Sequence, residues 1–173
     1  MKSRVRVIAG AALALAVIGG TAGITLARDN DRTVYRADVM AGVTPPYTAA
    51  GGNPIRGING GGAPWVIADS EIRVRTSGRV DVDVEGLVIG PGGPAALVGI
   101  NPAPLMKVRV SCLSTDAAGA ASTVNVESET FPVDAAGNGE ARVHVDLPSP
   151  CYAPIVFVAN GNAGGAWFAV SGA

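Results

Sequence analysis

Asp69, Glu71 and Glu85, with Asp83 nearby, gather more oxygen ligands into one stretch than any other part of the chain. Carboxylates grouped in this way suit calcium, a hard cation that takes about six to eight oxygens and is available outside cells. The competing reading is a solvated acidic edge, where a small twist or bulge keeps Glu71 from Glu85. No loop has the Asp-x-Asp-x-Asp-Gly spacing of a dedicated calcium site, so calcium is the one cofactor these residues suggest and none is required. A glycosidase pair would need two carboxylates in a cleft, one with a raised pKa, whereas acids on a convex strand face do not form a cleft.

Other chemistries are limited by supply. His144 is the single histidine, so any Ser-His-Asp or Cys-His site must use it. It sits mid-strand on the expected wet face, and no Gly-x-Ser-x-Gly elbow accompanies it. The chain is therefore expected to be non-enzymatic. Cys112 and Cys151 are the only cysteines, and in an exported protein an even pair forms a disulfide rather than a metal site. Trp65, preceded by a glycine-rich loop, is the aromatic expected to be partly exposed and to offer a ligand-binding platform. Trp167 and most of the other aromatics, which make up 5% of the chain, are expected in the core.

The acids are positioned by a hairpin. Ile72 and Val74 alternate with Glu71, Arg73 and Arg75, and Val80, Val82 and Val84 alternate with Asp81, Asp83 and Glu85. That is the period of two of strands with one wet and one dry face. An odd loop, Ser77 to Arg79 or Thr76 to Val80, sets Val74 opposite Val82 and Ile72 opposite Val84. It also sets Arg75 against Asp81, Arg73 against Asp83, and Glu71 against Glu85, the last a like-charge conflict. The strand is expected to run on through Leu87 to Ile89.

Further strands follow. Leu105 to Ser114 places Met106, Val108, Val110 and Cys112 on one face. A second hairpin is expected from residues 123–130 and 141–147, with Val126 opposite Val145, Glu129 opposite Arg142 and Glu127 opposite His144. Ile155 to Ala159 and Ala166 to Val170 are apolar on both faces, as interior strands of a packed sheet are. No segment after residue 27 has a helical period. The pattern predicts an all-β fold, an antiparallel β-sandwich of roughly seven to eight strands with immunoglobulin-like or related Greek-key topology.

Lys2, Arg4 and Arg6 precede an apolar run and then small residues, the layout of an export signal covering residues 1–27, with Thr25-Leu26-Ala27 as the cleavage site and Ala22 as an earlier one. A retained anchor competes, since Val5 to Leu26 is long enough to span a bilayer. Cleavage leaves no stable membrane insertion and a secreted or cell-envelope protein. Residues 28–63 read as an irregular arm rich in glycine and proline, with room for one short strand or turn between Thr33 and Val43, and residues 64–173 as the sandwich. Of 13 lysines and arginines, three lie in the signal, so ten face 14 acids in the remainder and nucleic acid is not an expected partner.

Only two of the basic residues are lysine, and Ala, Gly, Val and Arg dominate, which suggests a GC-rich genome. From IRGINGGGAPW to the end, including VSCLS, LPSPCYAPIVFV and AWFAV, the chain resembles uncharacterised small exported all-β proteins of high-GC bacteria. That resemblance implies no activity. The expected role is a binding or cell-envelope interaction module whose partner is a polysaccharide or protein of the envelope. The alternatives are a polysaccharide-binding or calcium-dependent adhesion domain and a small extracellular hydrolase.

Overall fold

The structure, a computed structural model, describes residues 31–49, 52–162 and 165–172; the export signal read at 1–27 lies outside them. In chain order the strands are β1 (Thr33–Ala37), β2 (Met40–Gly42), β3 (Trp65–Val66), β4 (Asp69–Arg75), β5 (Arg79–Glu85), β6 (Val88–Ile89), β7 (Leu105–Thr115), β8 (Ala121–Pro132), β9 (Gly139–His144), β10 (Tyr152–Asn160) and β11 (Trp167–Ser171). They form a four-stranded sheet in the order β1-β4-β5-β9, a five-stranded sheet in the order β2-β11-β10-β7-β8, and the short ribbon β3-β6. All the strand pairs are antiparallel.

The topology follows from two parallel crossings between sheets. The chain leaves β5 for β7 and later leaves β9 for β10, and β5 lies beside β9 just as β7 lies beside β10. Strands B, C, E and F of an immunoglobulin sandwich are related in the same way. The strand count exceeds the expected seven to eight because Thr33 to Val43 supplies two strands, β1 at the edge of one sheet and β2 at the edge of the other, and because β6 is separate from β5.

The β4–β5 hairpin forms with an odd loop, but its register differs from the expectation by two residues. Val74 faces Val80, Ile72 faces Val82, Arg73 faces Asp81, Glu71 faces Asp83 and Asp69 faces Glu85. The loop is therefore Thr76–Gly78, closed by the Gly78 amide donating to the Arg75 carbonyl at 2.9 Å. The glycine decides this. A three-residue hairpin loop needs a left-handed residue in last place, and Gly78 takes φ +86°. Centring the loop on Gly78 would force that conformation on Arg79. The strand also stops short of Ile89: Gly86, at φ +63°, turns the chain so that Leu87 enters the core and β6 pairs with β3.

The second expected hairpin does not form. β8 pairs with β7, Val126 facing Val110, and β9 pairs with β5, Val143 facing Val80. Residues 133–138 thus carry the chain from one sheet to the other. Alternation fixes which side of a strand is dry but not which strand lies next to it, and the β7–β8 pairing satisfies the same pattern.

Between the sheets Ile72, Val74, Val80, Val82 and Val84 meet Met106, Val108, Val110, Val156 and Val158, all at 2% exposure or less. The double-sided apolar character of β10 and β11 has a second cause. Phe157, Trp167 and Val170 lie on the far face of their sheet, and residues 47–49 and 52–60 cover that face. The Trp167 indole donates to the Ile58 carbonyl at 3.2 Å, the Tyr47 ring lies 6.4 Å from it, and Arg56 donates to the Ser111 carbonyl at 2.9 Å. Cys112 on β7 and Cys151 just before β10 form a disulfide with Cα atoms 5.0 Å apart, which ties neighbouring strands of one sheet.

Candidate functional site

One sheet is covered on both faces and the other is not. The outer face of β1-β4-β5-β9 carries the hairpin's charged residues, and the register lays them out in rows across the strands. Arg75 at the end of β4 lies beside Thr33, and Arg79 lies beside His144. The next row runs Arg36, Arg73, Asp81, Arg142. Then come Glu71, Asp83 and Glu140, and last Asp69 and Glu85. The face is basic at one end and acidic at the other.

Asp81 organises the basic end. Its carboxylate lies 3.4 Å from Arg75 Nε, 3.2 Å from Arg79 Nε and 3.6 Å from Arg142 Nε. Burial pushes the Asp81 carboxyl up, but the hydrogen bonds and charges of Arg79 and Arg75 outweigh that and hold it below its ordinary value. The expected Arg75–Asp81 pair therefore exists, as a diagonal contact instead of a directly opposed one. Asp31 supports the same end: it accepts a hydrogen bond from the Ser77 amide at 3.1 Å, and Ser77 is the main cause of its lowered pKa.

The acidic end is under-compensated. Glu71 pairs with Arg73 and, at 3.4 Å, with Arg36, whose guanidinium also holds Asp38 at 2.8 Å. Among the described residues, Asp69, Asp83, Glu85 and Glu140 have no cationic side chain in ion-pair contact. Three like-charge pairs sit directly opposite, Asp69 with Glu85, Glu71 with Asp83 and Asp83 with Glu140, where the alternation predicts one. Of the three residues read as calcium ligands, Asp69 and Glu85 are thus neighbours, while Glu71 is drawn towards arginines. Among the described residues no group of three or more acids, histidines or cysteines is placed to hold a metal ion.

The remaining candidates are elsewhere. Trp65 is 3% exposed, stacked on Phe168 with ring centroids 4.0 Å apart, so its expected partial exposure is not found. It instead forms part of the wall of an end cleft of about 600 Å³, with Pro64, Pro94, Pro102, Leu105 and Phe168. His144 is on the wet face as expected, but its neighbour is Arg79, with Asp146 Oδ1 3.5 Å from Nε2, and Glu127 instead pairs with Lys107 and Arg109 on β7.

Four residues of the charged face, Arg36, Asp38, Glu140 and Arg142, were not among the sequence candidates. The alternation of 141–147 is legible, but it suits pairing with β8 as well as with β5, and Arg36 belongs to the arm. No family model, characterised protein or solved structure matches the chain. Among the described residues no helix is long and apolar enough to cross a membrane.

Proposed function

We propose that the protein is an exported, non-enzymatic interaction module that binds a charged partner in the cell envelope through the outer face of its four-stranded sheet. The observation that carries this reading is the segregation of charge on that face. Strands hold the backbone of this array fixed, so binding orders the exposed side chains but needs no ordering of the main chain. The other sheet offers nothing comparable, since residues 47–49 and 52–60 lie over it. The disulfide supports the extracellular placement.

The alternatives find less support. A sugar platform at Trp65 lacks an open ring face, and a hydrolase built on His144 would have to work with an exposed imidazole beside Arg79 and Asp146. The test is retention of the disulfide-bonded protein on envelope fractions of the producing cells. Retention is expected to fall with rising salt and to be lost in the double variant Arg79→Glu with Arg142→Glu. Equal retention of the variant, folded by circular dichroism, would refute the reading.

A further inference from the structure

We infer that the partner of this face is the same face of a second copy of the chain, the two copies related by a two-fold axis that lies in the plane of contact and runs across the strands. This rests on the interaction reading above and names its partner. A two-fold contact brings one surface patch against itself, so the patch must be self-complementary. An axis in that direction reverses the strands and therefore lays each row on its opposite: the outermost basic row on the outermost acidic row, and the inner rows on each other.

The pairs follow from the register. Arg75 falls over Asp69 of the second copy, Arg79 over Glu85, Arg73 over Glu71 and Arg142 over Glu140, and each pair occurs twice. Arg36 at the end of β1 likewise meets the acidic edge that holds Asp38. One juxtaposition is unfavourable, Asp81 over Asp83, and Asp81 is already surrounded by three guanidiniums. A two-fold axis along the strands would set each row on itself and, apart from Asp81 over an arginine, oppose like charges. Of the four carboxylates without a cationic partner within the chain, this contact supplies Asp69, Glu85 and Glu140 with arginines and leaves Asp83 facing Asp81.

The size of the face sets the strength. Four rows spaced by two residues, at about 3.4 Å per residue, and four strands at about 4.8 Å give roughly 300–400 Å² per copy. Stable pairs bury roughly 800 Å² per partner, so this contact is weak, electrostatic and salt-sensitive, and suited to copies concentrated at a surface.

The experiment is sedimentation of the disulfide-bonded protein over a concentration series at about 20 mM and about 300 mM salt. Reversible dimerisation is expected at low salt, weakened at least about tenfold at high salt. Two double variants, Arg79→Glu with Arg142→Glu and Glu85→Lys with Glu140→Lys, are each expected to be monomeric, and their equimolar mixture to form the heterodimer. A wild-type monomer at every concentration and salt, or a mixture that stays monomeric, overturns the proposal. If envelope retention is nevertheless lost on charge reversal, only the second-copy partner fails and the interaction reading stands. If retention is also unchanged, both fail.

Discussion

Replacing Gly78 by alanine tests the feature that fixes the register of the charged face. At φ +86° an L-residue costs roughly 1–2 kcal/mol relative to glycine. Gly78 carries a second burden, because an added Cβ would collide with the Val145 carbonyl oxygen and come within 2.9 Å of the His144 ring. The carbonyl belongs to backbone, and the Val145 amide in turn donates to the Gly78 carbonyl at 2.9 Å. Moving that segment forfeits a net hydrogen-bond contribution of about 0.5–1.5 kcal/mol. The expected loss is therefore about 1.5–3.5 kcal/mol. Gly119, in the β7–β8 turn, provides the control. Its φ is +81°, yet an added Cβ would meet nothing within 4 Å, so Gly119→Ala should lose only the conformational part, about 1–2 kcal/mol. Equilibrium urea unfolding reads both. With a slope near 2 kcal/mol per molar, the midpoint should fall by about 0.8–1.8 M for Gly78→Ala and by about 0.5–1 M for Gly119→Ala. Equal shifts would show that packing against β9 does not hold the turn, and would refute the account of why the loop sits at Thr76–Gly78.

Two further outcomes are expected. Asp81 has a folded-state pKa below its unfolded value, so it contributes stability that is present above about pH 4 and lost as pH falls through the folded value. The stability gap between wild type and Asp81→Asn should accordingly shrink between about pH 4 and pH 2, whereas a gap that stays constant across the acid range would remove Asp81 as an organising charge. The Cys112–Cys151 bridge closes a loop with a sequence separation of 39, for which the chain-entropy model gives up to about 4 kcal/mol. Replacing both cysteines by serine should lower the melting temperature by roughly 8–16 °C, and alkylation without reductant should add no mass to the native protein; either a labelled native chain or an unchanged melting temperature would count against the bridge as a stabilising tie.

The sequence by itself determined the fold class, the dry faces and the disulfide. Those depend on local quantities: the period of two in Ile72–Val74 and Val80–Val84, the absence of a helical period, and the presence of two cysteines. It also showed that β10 and β11 are interior strands, because both faces of Phe157–Ala159 and Trp167–Val170 are apolar. Pattern alone could not choose neighbours. The same alternation that suits β9 against β8 suits it against β5, and only the crossing of the chain between sheets settles that Glu140 and Arg142 join the face of Asp83 and Asp81. The two-residue shift of the first hairpin was partly legible, since the left-handed place in a three-residue loop belongs to Gly78 and not to Arg79. Tertiary structure decided the rest. Trp65 lies in a sequence rich in turn formers, yet Phe168, about a hundred residues later, covers its ring. The charged face is likewise a property of four strands from distant parts of the chain. A row such as Arg36–Arg73–Asp81–Arg142 exists only once long-range pairing has set one strand beside the next, and no local period encodes that order.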